Sequence, residues 1–156
     1  QSFKPTAKGV GGYMNSTLAK VDAVENGYDD AIMLGDNDVV AEGSGQNLFL
    51  IKNGKIYTPP IETGALGGIT RKTVIEIASN LGLETEETNI NADQLKDADE
   101  LFFTGTATEV VGVVSVDGED IVDGKPGEIT GNIRQKYLEI VNGENEDFLH
   151  YLTLVK

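Results

Sequence analysis

The chain has 156 residues, 12 Lys and Arg against 26 Asp and Glu, and a formal charge of −14 with a pI near 4.3. At 39% hydrophobic and 24% charged it has the composition of one folded domain, and its few scattered basic residues exclude a nucleic-acid backbone or an anionic membrane as partner. No run reaches the ~18 apolar residues of a spanning helix, no signal-peptide layout is seen, and zero Cys rules out disulfides and thiol chemistry, which fits the cytoplasm.

In chain order, a Gly-rich loop at residues 8–12 leads into Met14, Leu18, Val21 and Val24, whose spacing predicts a first helix stopped at Gly27. Residues 31–34 and 39–41 read as two strands joined by a turn at Gly35, Asp36, Asn37 and Asp38. Residues 48–51 and 55–58 flank Asn53-Gly54, a dipeptide that accepts the positive φ of a type I′ turn, so a tight hairpin is expected. Pro59-Pro60 ends it. A connection containing Gly64, Gly67 and Gly68 then reaches Thr70, read as the N-cap of a helix carrying Val74, Ile77, Ala78 and Leu81 and stopped at Gly82. Residues 83–90 alternate weakly as a strand, 91–96 suggest a helical turn or two, and 100–104 (ELFFT) read as a buried strand. Residues 110–116 turn at Asp117-Gly118 into a short return strand near Ile121-Val122. A last helix carries Ile133, Tyr137, Ile140 and Val141 and stops near Gly143, leaving a tail with His150 and no motif. Hairpins mixed with helices give a mixed α/β or α+β domain.

Several chemistries fail on the residues. His150 is the only His, so neither a Ser-His-Asp triad nor a multi-histidine zinc site can be assembled. Gly9-Val10-Gly11-Gly12-Tyr13-Met14 lacks the last Gly of a dinucleotide loop, and neither Gly-Lys pair is followed by Ser or Thr as a P-loop requires. Asp36-Asn37-Asp38 lacks the Gly and Glu of a calcium loop, and Gly43-Ser44-Gly45 has no base to activate its serine. What survives is a combination. A helix start at Ile69-Thr70 offers backbone N–H groups and the positive dipole end to a phosphate. Thr104-Gly105-Thr106-Ala107 offers hydroxyls and N–H groups to a second anion. With a lysine amine and an acid, these make a site that suits pyridoxal phosphate.

The order of these segments resembles the C-terminal, larger domain of class IV pyridoxal phosphate enzymes, and among them the branched-chain amino acid aminotransferases. The resemblance is carried by Lys8 with GGYMNSTLAK (11–20), GYDDAIML (27–34), AEGSGQNLFLIKNGKIYTPP (41–60), GITRKTVIEIA (68–78), ADELFFTGTATEV (98–110) and SVDGEDIVDGKPGEIT (115–130), and spans residues 5–142. It implies a barrel-like sheet with flanking helices. It also implies that Lys8 forms the Schiff base and shuttles the proton, that Glu42 faces the pyridine nitrogen, and that Tyr13 meets the 3′ oxygen. Ile69, Thr70 and Thr106 would bind the cofactor phosphate, the Thr106-Ala107 amides the substrate α-carboxylate, and Leu66 would pack on the ring.

Two positions depart from the family pattern: Gln46 stands where Glu is common, and Gly67 where Pro is common. The resemblance further implies transfer of the amino group of Leu, Ile or Val to 2-oxoglutarate, with amino acids and 2-oxo acids as substrates and a homo-oligomeric assembly. A D-amino acid aminotransferase, an aminodeoxychorismate lyase and a non-catalytic interaction module are the alternatives. A chain opening at Gln1 reads as a piece of a larger protein whose small N-terminal domain is absent here. Such a piece is expected to expose the apolar surface that packs against that domain and a second subunit, and to be inactive alone.

Overall fold

The computed structural model describes residues 9–35 and 38–153. A 3-10 turn, Val10–Tyr13, runs directly into α1, Met14–Glu25. Then follow β1 (Ile32–Leu34), β2 (Val40–Gly43), β3 (Asn47–Lys52), β4 (Lys55–Thr58), α2 (Ile69–Asn80), β5 (Thr85–Glu87) and α3 (Ala92–Lys96). The remainder is β6 (Glu100–Gly105), β7 (Glu109–Val113), β8 (Ser115–Val116), β9 (Glu119–Asp120), α4 (Glu128–Val141) and a 3-10 segment, Glu146–Tyr151. Five strands form one sheet in the order β5-β4-β3-β6-β7, antiparallel except at β4–β5, while β1–β2 and β8–β9 are separate antiparallel pairs.

The middle of the sheet explains its sequence. β3 and β6 pair from Asn47↔Thr104 to Ile51↔Glu100, and successive side chains leave on opposite faces. Phe49, Ile51 and Phe102 go to the side covered by α2 and α4, where they meet Val74, Ile77 and Ile133. Leu48, Leu50, Leu101 and Phe103 go to the other side, against Val40 and Ile90. Because both faces are covered, these strands read as unbroken apolar runs rather than as alternation. Phe49 and Phe102, opposite each other in register, stack with ring centroids 4.9 Å apart.

The Asn53-Gly54 hairpin forms as expected, with φ of 52° and 74° at the two turn residues and Lys52 facing Lys55. The first hairpin also forms, with its second strand displaced to Val40–Gly43; Asp36 and Asn37 of its turn lie outside the described residues. The strand expected at 83–90 shrinks to β5, three residues held parallel to β4 with Ile56 facing Thr85. The run 110–116 divides into β7 and β8, and the return strand is Glu119–Asp120, with Ile121 buried just beyond it.

Two expectations are corrected. Thr70 is not the N-cap of α2: Gly68 holds that position with extended ψ of 143°, and Thr70 is a buried residue of the first turn. Leu81 does not join the apolar face but caps the helix, 38% exposed. For α1 the helix is where the spacing put it, yet Met14, Leu18, Val21 and Val24 are 49–73% exposed and only Ala23 is buried. Periodicity reveals that a helix has an apolar face, not what covers it. The outward stripe matches the expectation that this chain presents apolar surface to something else.

Helix α4 is anchored from the sheet. No side chain next to its start caps it; instead the Glu100 carboxylate on β6 accepts the Ile129 N–H at 3.0 Å and the Thr130 N–H at 2.8 Å. A Cβ at Gly127 would collide with Glu100, so the close approach requires glycine there. Removing the anion at a helix N-terminus loses both bonds and the dipole interaction. Glu100→Ala is expected to cost about 1–2 kcal/mol in urea unfolding.

The tail, in which the sequence offered no motif, closes one side of the core. Phe148 is buried in the cluster with Phe49 and Val74, and the Tyr151 hydroxyl donates to Glu76 Oε2 on α2 at 2.6 Å.

Candidate active site

At the end of β6, where β3 starts and α2 begins, a cleft of about 280 Å³ opens. Four stretches of chain line it: Tyr13, Glu42 with residues 45–47, residues 66–70, and residues 104–106. Six of the eight residues expected from the sequence, Tyr13, Glu42, Leu66, Ile69, Thr70 and Thr106, therefore meet in one place. Ala107 is the next residue of the exposed turn after β6, beyond the lining. Lys8 lies outside the described residues.

Glu42 is the electrostatic centre. Its Oε2 accepts the Leu66 N–H at 2.9 Å and faces Asn47 Nδ2 at 3.4 Å, while Oε1 has no hydrogen bond among the described residues. Burial pushes the carboxyl above its ordinary value; the Leu66 bond opposes this without cancelling it. A carboxylate held in this way gains from any cation or N–H donor brought to its open oxygen.

Helix α2 also begins at the cleft. The N–H groups of its first turn have no acceptor within the helix, and no side chain among the described residues caps them. Ile69 and Thr70 both line the cleft, Ile69 78% exposed and Thr70 buried. Both features suit an oxyanion at the positive end of the helix. On the opposite wall, Gly105 pairs with Glu109 around a tight turn, and Glu109 takes a φ of 59° to close it. That geometry leaves Thr106 and Ala107 at the rim.

Sequence reasoning missed one buried polar residue, Asn47, and named Thr104 only within Thr-Gly-Thr-Ala as a donor to an anion. Asn47 is 5% exposed, and its Nδ2 donates to the Leu66 carbonyl at 2.7 Å besides facing Glu42. Thr104 sits directly opposite it in the sheet, fully buried, with Oγ1 lacking any partner among the described residues. A polar residue opening an otherwise apolar strand, NLFLIK, was the available signal for Asn47; Thr104 had none beyond its place in Thr-Gly-Thr-Ala.

Gln46 performs a different task from tuning Glu42. Its Nε2 donates to Asp30 Oδ2 at 2.9 Å, and its Oε1 accepts the Gly45 N–H at 2.9 Å. Asp30 also accepts from Ser44 Oγ at 2.5 Å, from the Ala31 N–H at 2.8 Å and from Lys20 Nζ at 2.9 Å. Burial would raise the Asp30 carboxyl, but these bonds outweigh it and hold the group below the ordinary value. Asp30 thus ties α1 and β1 to the turn that forms the cleft rim. A Glu at position 46 would set two carboxylates against each other there.

A half-buried acid and an uncapped helix start, with threonines in the same lining, define a pocket for a ligand with a cationic edge and an anionic group. Residues 1–116 match the family described as amino-transferase class IV. The branched-chain-amino-acid aminotransferase of Pseudomonas aeruginosa is 45% identical over 150 residues, covering 96% of this chain and 48% of that protein. A probable branched-chain-amino-acid aminotransferase of Aquifex aeolicus is 45% identical, over 95% of this chain and 48% of its own. Among solved structures, a branched-chain amino acid aminotransferase complexed with N-(5'-phosphopyridoxyl)-L-glutamate superimposes with a TM-score of 0.96 at 43% identity, over 99% of this chain and 51% of its own. The branched-chain aminotransferase of the thermophilic archaeon Thermoproteus uzoniensis, solved with norvaline, superimposes with a TM-score of 0.93 at 44% identity, over 97% of this chain and 50% of its own. This chain belongs to the class IV amino-transferase family, and it spans about half the length of the curated relatives it matches.

Proposed function

We propose that this chain is the cofactor-binding part of a pyridoxal phosphate-dependent aminotransferase that moves the amino group of Leu, Ile or Val to 2-oxoglutarate. The observation that carries the reading is the meeting, in one cleft, of the half-buried Glu42 carboxylate and the uncapped start of α2. The residues present fit the cofactor. Oε1 of Glu42 is open to a pyridinium N–H, the first-turn amides of α2 and the Thr70 and Thr106 hydroxyls suit a phosphate monoester, and the buried Thr104 hydroxyl awaits a partner on the same wall. When bound, pyridoxal phosphate supplies a carbonyl that captures amines and a ring that takes up the electron pair left by a departing Cα proton.

The protein's part is to bind, orient and move that proton. Glu42, kept anionic by the cation it would face, would hold the ring nitrogen protonated, and Tyr13, which lines the cleft, would meet the ring's phenolic oxygen. Leu66 would supply an apolar wall. Lys8 would hold the cofactor covalently, and its Nζ would carry the proton from substrate Cα. The Thr106 and Ala107 amides at the rim receive the substrate carboxylate. The rest of the protein, about as long again as this chain in its relatives, completes the substrate pocket. The outward stripe of α1 is one surface for it or for a second subunit, and the 156 residues alone are inactive.

The test is made on the full-length protein. Incubation with pyridoxal phosphate, borohydride reduction and peptide mapping should place the label on Lys8, and L-Leu with 2-oxoglutarate should give glutamate. Turnover of D-Ala in preference to L-Leu, or label spread over surface lysines, would overturn the reading.

A further inference from the structure

Asn47 touches three other residues that line the cleft: Glu42, Leu66 and Gly68. It opens β3 five residues after Glu42 of β2, and it lies across the sheet from Thr104. Its Nδ2 lies between two acceptors, the Leu66 carbonyl at 2.7 Å and Glu42 Oε2 at 3.4 Å, while Glu42 Oε2 also accepts the Leu66 N–H at 2.9 Å. Both neighbours accept, so only the amino side of the amide can face them. The carbonyl side then points at the loop: a Cβ added to Gly68 would fall against Asn47 Oδ1. Gly68 has an ordinary φ of −66°, so glycine is needed there for proximity and not for backbone freedom. A single side chain therefore contacts the half-buried acid, the loop that follows it and the residue that caps α2.

We propose that Asn47 is a positioning residue that sets the Glu42 carboxylate and the start of α2 at a fixed separation, matching them to the two ends of one ligand. This deepens the cofactor reading and rests on it. The ring nitrogen and the phosphate of that ligand are rigidly spaced, so a site that binds both needs its two anchors tied together. Leu66 provides half of the tie through its backbone, and Asn47 provides the other half from the sheet. The amide also remains neutral. The charged group its amide meets is Glu42; the Arg71 guanidinium, on the same turn of α2 as Gly68, is engaged by Glu87 at 2.7 Å and the Pro59 carbonyl at 3.1 Å. A neutral donor thus steadies Glu42 without neutralising it, and its charge is left for the ligand.

The test is Asn47→Asp in the full-length protein reconstituted with pyridoxal phosphate, reading the cofactor dissociation constant by equilibrium dialysis from about pH 6 to pH 8.5. The substitution keeps shape and removes both donors. Near pH 8, with a second carboxylate beside Glu42, cofactor binding should weaken at least about tenfold. Toward pH 6 the paired carboxyls share a proton that serves as donor, and the loss should shrink. A merely structural role would weaken binding by one factor at every pH and overturns the proposal, as does a dissociation constant within twofold of the wild type. Should that variant lack native circular dichroism, Gly68→Ala pushes the amide off Leu66 from the loop side and should weaken binding comparably with little pH dependence; unchanged binding there overturns the proposal. A wild-type protein that takes up no cofactor overturns the underlying reading instead, which separates the two failures.

Discussion

Full-length protein carrying Lys8→Ala is expected to take up pyridoxal phosphate reversibly, to show no borohydride-stable label at this position, and to lose transamination by roughly a thousandfold or more. The two losses have different origins. Uptake survives because the Glu42 carboxylate, the α2 amides and the threonines hold the ligand without a covalent bond. Turnover should not, because no described lysine lines the cleft and the proton at substrate Cα would then have no carrier. A small exogenous amine such as methylamine should restore part of the rate, since it can enter the space of the missing side chain and accept that proton. Residual turnover within tenfold of wild type, without added amine, would show that Lys8 is not the base.

Glu42→Gln should have two effects of opposite sign. Transamination should fall by about 10²–10⁴-fold, because a neutral amide cannot keep a facing ring nitrogen protonated. The ligand-free protein should become more stable at neutral pH. Burial raises the Glu42 carboxyl above its ordinary value of 4.5, so over the interval between that value and the raised one the folded chain keeps a proton that the unfolded chain has released. Glu42 therefore favours the folded state fully below pH 4.5, and this contribution disappears as pH rises through the raised value. Glutamine has no proton to lose and escapes the decline. Melting temperatures of the ligand-free proteins should converge near pH 4 and separate toward pH 7 with the variant higher. Coincident curves at pH 7 would mean the carboxylate is not penalised in the empty cleft. The ligand reverses the balance, because a cation at Oε1 compensates the buried charge.

How legible the molecule was in its sequence depended on the range of the forces involved. The Asn53-Gly54 turn was readable because its positive φ values are a local demand that two residues meet by themselves. The ELFFT strand was readable because a run covered on both faces carries its burial in its composition. Thr70 was misplaced by two positions: a threonine before a helix is the usual N-cap, but here close packing against Asn47 puts Gly68 in that role. The α1 stripe was legible as apolar, but what packs on it was not, since its cover is not among the described residues. In the site, the segments resembling a known family gave Tyr13, Glu42, Leu66, Ile69, Thr70 and Thr106, which the structure brings together. Asn47, its pairing with Thr104 and the Asp30–Gln46 bond were not legible, because each matters only through a partner that folding brings near from elsewhere in the chain.

The burial of Phe148 against residues of β3 and α2 has a consequence for how the protein comes off the ribosome. β3, β4 and α2 are synthesised before α4, yet the cluster formed by Phe49, Ile56 and Val74 also needs Ile133 and Ile140 of α4, and Phe148 beyond it. These earlier elements emerge with that apolar face uncovered until the last helix and the 3-10 segment arrive. Such long-range closure slows folding and leaves the uncovered face open to aggregation until translation passes Phe148. A message truncated between α4 and Phe148 should yield product that aggregates instead of a slightly shorter domain.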